Sequence, residues 1–108
     1  MSKKPEHYSE VKSIAGKAEY VLRLFVTGAT PNSSRAIANL KEICEQHLKG
    51  RYELQVVDVY QQPTIAKKEQ IVALPLLIKK SPLPERRMIG DLSDTEKVLK
   101  GLEIYDHA

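Results

Sequence analysis

A strand, a capped helix and a second strand follow one another between residues 19 and 59, and this unit limits the folds open to the chain more than any other feature. The run Tyr20–Val26 is rich in β-branched and aromatic residues, is interrupted only by Arg23 and stops before Gly28, as is typical of a buried central strand. The side chains of segment 30–34 can then satisfy the free N–H groups of a helix start. A helix is therefore expected directly after this strand.

An apolar stripe marks that helix. Four residues recur at spacings of three and four and end near Gly50, namely Ile37, Leu40, Cys44 and Leu48, as in a helix that packs on a core. Residues 52–59 alternate and then become continuously apolar, which predicts a second strand. A helix that joins two such strands makes them parallel neighbours.

The second half starts with a short helix and an apolar segment that a proline interrupts. Pro63 suits the first turn of a helix over residues 63–70. Segment 71–78 is apolar enough for a strand, but Pro75 lacks the N–H that the interior of a sheet requires. The pattern therefore predicts an edge or a tight turn at Pro75, followed by a strand over residues 76–79.

A hairpin and a capped helix complete the chain. Residues 86–89 follow the turn sequence Ser-Pro-Leu-Pro at 81–84 and predict an antiparallel partner strand. Ser93 is followed three residues later by Glu96, which matches a capping box. A final helix is expected to begin at Ser93.

The summed order β-α-β-α-β-β-α predicts an α/β fold of the thioredoxin-like class with a mixed four-stranded sheet. A chain of 108 residues has room for one core of ordinary size. We therefore predict a single domain over residues 19–108. Residues 1–18 are rich in charge with only scattered apolar residues, so a flexible N-terminal extension is expected there.

Composition excludes several classes of partner. The chain has 17 basic and 14 acidic residues but only 5 Tyr, 1 Phe and no Trp, which argues against nucleic acid because such surfaces interleave basic and aromatic residues. No stretch approaches the ~20 apolar residues of a membrane span. A single cysteine fits a reducing compartment. We expect a cytoplasmic protein that binds neither nucleic acid nor membrane.

The segments where chemistry would be expected lack the residues for it. The loop at 28–34 contains no cysteine, so dithiol exchange has no nucleophile. Cys44 lies on the apolar stripe and is interpreted as a core residue, with a reactive thiol as the alternative. The Leu74–Pro75 bond beside this loop is either cis or trans.

Metal and nucleotide sites are not predicted either. The histidines are dispersed at His7, His47 and His107, with no cysteine or carboxylate at metal-ligand spacing. The glycines are isolated, so no phosphate-binding loop is present. Asp58 and Asp91 are interpreted as hydrogen-bonding and turn residues. We expect no catalytic residues, no cofactor and no metal, and hence no enzyme.

Three motifs resemble the KaiB family of circadian clock proteins. They are Val-Thr-Gly-Ala-Thr-Pro-Asn-Ser-Ser-Arg-Ala at 26–36, Val-Val-Asp-Val at 56–59, and Arg-Arg-Met-Ile-Gly-Asp-Leu-Ser-Asp-Thr-Glu-Lys-Val-Leu-Lys-Gly-Leu at 86–102. The resemblance covers about residues 19–104. It implies a non-catalytic regulator that binds a KaiC-type ATPase, in a clock or in a derived timing or stress-response system.

The resemblance also implies partners and a second fold. Members of the family engage KaiA and compete with a histidine kinase, and they form homo-oligomers, either dimers or tetramers. They are metamorphic, and the alternative arrangement is β-α-β-β-α-α-β. We expect Pro75, Gly101 and Glu103 to influence the balance between the two folds.

Partner-binding residues are carried over by position. The basic residues that match family positions, and that we expect on partner-facing surfaces, are Arg35, Lys79, Arg86 and Arg87. The chain departs from the family at Gln55 and Gln70, where cyanobacterial members carry lysine. The alternative function is therefore a divergent thioredoxin-like adaptor that binds another signalling protein, such as a histidine kinase sensor domain, without KaiC.

Overall fold

Five strands and three helices make up the part of the chain that the computed structural model describes, which is residues 9–12, 18–28 and 30–104. In chain order they are β1 (Ser9–Lys12), β2 (Tyr20–Val26), α1 (Pro31–His47), β3 (Tyr52–Asp58), α2 (Pro63–Lys68), β4 (Leu76–Ser81), β5 (Arg86–Ile89) and α3 (Thr95–Gly101). From β2 onward, this is the thioredoxin-like order predicted from the sequence. The predicted fold class is confirmed.

The sheet has the order β1-β3-β2-β4-β5. β2 and β3 are parallel over their whole length, from Tyr20 opposite Tyr52 to Val26 opposite Asp58, as the connection through α1 predicts. β4 pairs antiparallel with β2 on the other side, and β5 pairs antiparallel with β4. The four predicted strands therefore form the mixed sheet.

β1 is an addition that the sequence does not predict. The expectation for residues 1–18 is a flexible extension, but Ser9–Lys12 is a strand that pairs antiparallel with β3. Residues 1–8 and 13–17 lie outside the described residues. At Ser9–Lys12 the expectation of a flexible segment is therefore wrong. These four residues have no clear alternating pattern, and they form a strand because the edge of β3 is available for pairing.

Two apolar layers cover the sheet. One layer joins β2 and β3 to the first and last helices through fully buried residues that include Leu24, Leu40, Val56 and Leu102. The other is smaller and contains Phe25, Val57 and Ile78. Ile65 and Ala66 of α2 pack against this smaller layer and are only partly buried. The predicted apolar stripe of α1 therefore faces the main core.

Helix starts follow the predicted chemistry at α1 but not at α3. Thr30 caps α1, because its side chain accepts a hydrogen bond from the N–H of Ser33. The predicted capping box at Ser93 is wrong, since Asp94 is the cap and its carboxylate accepts from the N–H of Lys97 at 3.2 Å. The N–H of Ser93 donates instead to Asp91 at 3.1 Å. Ser93 thus belongs to the preceding turn.

The ends of α2 and α3 share one geometry. After α2, Gln70 has a φ of 57°, and the N–H of Ile71 donates to the carbonyl of Ala66 at 2.9 Å. After α3, Glu103 has a φ of 58°, and the N–H of Ile104 donates to the carbonyl of Leu99 at 2.8 Å. Both are Schellman motifs, whose left-handed position usually carries glycine. Here both positions carry a longer residue.

Pro75 is buried and lies immediately before β4. The Leu74–Pro75 bond is cis, which decides between the two isomers left open by the sequence. The carbonyl of Pro75 accepts a hydrogen bond from the N–H of Gly90 at 3.0 Å. Because β4 lies between β2 and β5, the proline marks a turn into an interior strand and not a sheet edge.

Candidate partner-binding surface

The loop after β2 is closed by hydroxyl groups. The Ser33 side chain is 1% exposed and accepts hydrogen bonds from the N–H of Thr27 at 3.2 Å and from the Thr30 hydroxyl at 2.9 Å. These bonds tie the loop to the first turn of α1. The buried hydroxyl thus holds the loop in shape, and its partners among the described residues, Thr27 and Thr30, include no base that could activate it as a nucleophile.

Cys44 lies fully inside the main core. Burial raises the pKa of its thiol to about 12, and the charge of Glu45 adds to the rise. A thiol with such a pKa carries almost no thiolate at neutral pH, and the thiolate is the reactive form. This supports the interpretation of Cys44 as a core residue.

Asp58 occupies the end of β3 and is 5% exposed. Its carboxylate accepts a hydrogen bond from the N–H of Tyr60 at 2.9 Å, which shapes the turn after the strand. Asp91 lies far along the chain and pairs with a different element. The two carboxylates therefore have the separate turn roles that the sequence predicts.

Lys79 does not lie on an exposed surface. It is 1% exposed within β4, so the expectation of a partner-facing position is wrong in this fold. Burial lowers the pKa of its ammonium group, opposed by the nearby charge of Glu103 and reinforced by that of Arg86. The sequence suggests exposure because lysine is seldom fully buried, but Lys79 lies on the same face of β4 as Leu77, which belongs to the main core.

Arg86 stands opposite Lys79 in the β4–β5 ladder. Its guanidinium lies 2.6 Å from the carboxylate of Glu103, the left-handed residue after α3. This ion pair ties the exposed strand β5 to the end of the last helix. The cluster of Lys79, Arg86 and Glu103 therefore brings together two predicted binding residues and one predicted fold-balance residue.

Arg87 points to the other face of the sheet. Its guanidinium donates to the backbone carbonyl of Glu69 at 2.8 Å and lies 3.7 Å from the Glu69 carboxylate. Lys80 is also paired with Glu69, at 3.1 Å. Glu69 is thus shared by two cations and connects the end of α2 to the β4–β5 hairpin.

Arg35 lies on α1 near the opposite end of β5. Its guanidinium contacts Asp91 at 3.3 Å and also donates to Asn32. Hydrogen bonds from Ser93 lower the pKa of Asp91, and Arg35 contributes further. Asn39 donates to the Asp91 carbonyl at 2.8 Å. Arg35 therefore orders the turn before α3 and is not grouped with Arg86 and Arg87.

Apolar residues are exposed beside Arg87. Val72 is 93% exposed and Ile89 is 59% exposed. Both line a shallow groove of about 160 Å³ together with Gln70, Ala73, Leu76 and Arg87. We call the groove residues Val72, Arg87 and Ile89 the β5 edge. Exposed apolar residues flanked by charge are typical of protein-interaction surfaces.

Gly101 is packed closely against β5. It is the last residue of α3, and a Cβ atom there would overlap the end of the Met88 side chain. Met88 is the inward-facing neighbour of Arg87 on β5. The predicted fold-balance residues Gly101 and Glu103 therefore both lie where α3 meets β5, while Pro75 reaches the same region through its bond to Gly90.

The acidic partners of the arginines could not be assigned from the sequence. Arg35 and Asp91 are 56 positions apart, and Arg86 and Glu103 are 17 apart. Each acidic residue is visible in the sequence, but only the fold selects its partner. The exposed residues Val72 and Ile89 were also missed, because apolar residues in strand-like segments are first interpreted as core.

The described part of the chain has neither a cluster of metal-ligating side chains nor a membrane-spanning helix. Within residues 9–12, 18–28 and 30–104 no group of three or more His, Cys, Asp or Glu side chains could hold a metal ion. Among those residues, no helix combines the length and apolar character needed to cross a bilayer.

Comparisons with known proteins point to one family. Residues 23–104 match the family model described as KaiB domain. A curated relative, circadian clock oscillator protein KaiB of Prochlorococcus marinus (strain MIT 9515), is 53% identical over 91 residues and covers 84% of each chain. KaiB of Synechococcus elongatus (strain ATCC 33912 / PCC 7942 / FACHB-805) is also 53% identical, over 79% of this chain and 83% of the relative.

Solved structures support the fold. The N-terminal domain of Synechococcus elongatus SasA superposes with a TM-score of 0.65 and 24% identity, covering 100% of this chain and 98% of that domain. Chloroplastic thioredoxin z gives a TM-score of 0.66 at 19% identity over 83% of each chain. At such identities the likeness concerns the thioredoxin-like fold.

Proposed function

The chain belongs to the KaiB family, and on that premise we propose that it is a non-catalytic cytoplasmic regulator that binds a KaiC-type ATPase in a clock or a clock-derived timing system. The observation that carries the proposal is the 53% identity to curated circadian clock oscillator proteins over 84% of the chain. The similarity extends over most of both chains, so a shared type of partner is the simplest expectation.

The β5 edge is the proposed contact surface. Val72 and Ile89 expose apolar area there, and Arg87 supplies a cation beside them. Interfaces commonly combine an apolar anchor with arginine, and truncation of such anchors costs most of the affinity. Arg86 and Arg87 are half-exposed and already paired within the chain, so we expect Ile89 to contribute more to affinity than either arginine alone.

Arg35 provides a second proposed contact with the partner, separate from the β5 edge. Its side chain remains 56% exposed while it contacts Asp91. It is therefore available to a partner that approaches the turn before α3. We expect substitution of Arg35 to affect the rate of association more than the lifetime of the complex, because exposed charges act mainly by steering.

Size-exclusion chromatography tests the proposal. The protein is incubated with the KaiC-type ATPase from the same source and ATP for several hours, and co-elution is measured. We expect a complex, and we expect Arg87→Ala with Ile89→Ala to weaken it by about tenfold or more. Lys49→Ala, at an exposed residue between α1 and β3, is the matched control and should bind normally.

Persistent separation of a folded protein from the ATPase would overturn the proposal. The remaining candidate is then an adaptor for another signalling protein. The departures from the family at Gln55 and Gln70 provide a test of this alternative. Restoring lysine at both positions should strengthen binding to the ATPase if the proposal holds and should have no effect on that binding if the chain has left the KaiC system.

A further inference from the structure

β1 covers the middle of a long strand edge. β3 would be the outermost strand of the sheet without it, because the strand order is β1-β3-β2-β4-β5. β1 pairs with β3 from Ser9 opposite Val57 to Lys12 opposite Leu54. An uncovered edge of this kind presents unpaired N–H and C=O groups that readily pair with another strand.

β3 is self-complementary as an antiparallel pair. If two copies paired with Gln55 opposite Gln55, Leu54 would face Val56 and Glu53 would face Val57 of the other copy. In this register neither acidic residue of the strand opposes another acidic residue, so no repulsion between like charges arises. Nothing in the sequence of β3 therefore prevents it from pairing with itself.

β1 makes a poorer edge than the strand it covers. It has only four residues, Ser-Glu-Val-Lys, and two of them are charged residue types. Short edge strands that contain charged residues, lysine above all, are a common way to stop a sheet from growing. Replacing the edge of β3 by that of β1 thus ends the sheet.

The covering strand is supplied by the same chain at short range. Lys12 is opposite Leu54 and Tyr20 is opposite Tyr52, on the two sides of β3. β1 and β2, which flank β3, are therefore about 10 Å apart, twice the usual spacing between neighbouring strands. Residues 13–19 are long enough to connect them. A tether of this length gives β1 an effective concentration on the order of millimolar.

We propose that β1 is an intramolecular cover that keeps the β3 edge from pairing with β3 of a second copy of this chain. At micromolar protein concentration the tethered strand outcompetes the second copy. Loss of the β1 pairing opens the edge and permits a homodimer through antiparallel β3 strands. The proposal concerns this edge alone and is independent of binding to an ATPase.

Two proline variants of the full chain provide a matched pair. Neighbouring residues of an antiparallel edge strand direct their N–H groups alternately toward and away from the partner strand. Of Glu10→Pro and Val11→Pro, one therefore removes an N–H that faces β3, and the other removes one that faces outward, where proline is tolerated. Hydrogen exchange of the Leu54–Val57 amides identifies the variant that releases β1.

A cysteine at position 55 reports the pairing. The only natural cysteine, Cys44, is buried, so Gln55→Cys, at a partly exposed residue, supplies the reporting thiol. In the proposed register two such residues face each other within disulfide reach. Glu53→Cys is the register control, since two copies of residue 53 would be about 14 Å apart.

We expect oxidation to crosslink Gln55→Cys at least tenfold more in the releasing proline variant than in the other variant or the otherwise unchanged chain. Glu53→Cys should not crosslink in any background. Absence of crosslinking in the releasing variant would overturn the proposal, as would equal crosslinking of Gln55→Cys in the chain with β1 intact. Far-ultraviolet circular dichroism checks that every variant remains folded.

Discussion

In the first half of the domain, residues 20–59, the strands and the helix are those that the local sequence favours. In the second half, residues 60–104, the shorter elements depend on packing against the rest of the fold. The first half contains two seven-residue strands in full parallel register and a capped helix of 17 residues. In the second half, α2 has six residues, no buried residue and no side-chain cap. Stability is therefore expected to be uneven along the chain.

Backbone geometry sharpens this comparison. Over the part of the chain that the structure describes, the non-glycine residues with positive φ are Gln70, Leu92 and Glu103, all in the second half. Such conformations cost about 1–2 kcal/mol each for residues that carry a Cβ. The second half tolerates them because Leu92 is buried and because ion pairs hold β5 to the ends of α2 and α3.

The largest expected effect concerns access to the core of the first half. We expect Cys44 to react with a disulfide reagent at pH 8 about a thousandfold more slowly than an ordinary thiol, because its pKa is raised by burial from 9.0 to about 12. Thiol release by absorbance measures the rate. Ser34→Cys in a Cys44→Ala background, at an exposed residue of α1, is the control and should react fast. Equal reaction rates for Cys44 and the Ser34→Cys control would mean that the core of the first half is exposed to solvent as often as a surface residue.

Truncation of a core side chain should lower the free energy of unfolding more in the first half than in the second. Leu40→Ala removes a fully buried side chain of α1 and is expected to lower the free energy of unfolding by about 2–5 kcal/mol. Ile65→Ala removes a partly buried side chain of α2 and should cost less than about 1.5 kcal/mol. Urea denaturation measures both. If Ile65→Ala were as costly as Leu40→Ala, the uneven stability would be refuted.

The contact between α3 and β5 gives a smaller effect. Gly101→Ala introduces a Cβ that overlaps Met88, but alanine favours a helix over glycine by about 1 kcal/mol. We expect the two effects nearly to cancel. In a Met88→Ala background the overlap is gone, so Gly101→Ala should stabilise by about 0.5–1 kcal/mol. Thermal unfolding of the single and double variants measures the coupling between positions 101 and 88. Separately, if Gly101→Ala left the populations of the two folds unchanged by NMR, a role of Gly101 in the fold balance would be contradicted.

The smallest effect distinguishes the two left-handed helix ends. Gln70→Gly should raise the free energy of unfolding by up to about 1 kcal/mol, because glycine adopts positive φ without strain. Glu103→Gly gains the same relief but loses the ion pair to Arg86, an exposed pair worth about 0.2–1 kcal/mol. We therefore expect a smaller gain at 103, measured by urea denaturation. A larger gain at 103 would indicate that the ion pair does not stabilise the fold.

Local sequence determined much of the fold. The strand before Gly28, the cap at Thr30 and the apolar stripe of α1 follow from side-chain periodicity and hydrogen-bonding capacity within a few residues. The absence of a cysteine from the loop at 28–34 was enough to argue against dithiol chemistry. The motifs at residues 26–36 and 86–102 were enough to indicate the KaiB family.

Tertiary structure alone decided the rest. β1 forms because β3 offers an edge, Lys79 is buried because its face of β4 is covered by the main core, and Arg35 pairs with Asp91 across 56 positions. Asp94, and not Ser93, caps α3: its carboxylate accepts from the N–H of Lys97, while the N–H of Ser93 donates to Asp91 within the preceding turn. Each outcome depends on groups distant in sequence or on competition between neighbours. Periodicity and residue type describe what a segment can form, but the packed chain determines which partner it meets.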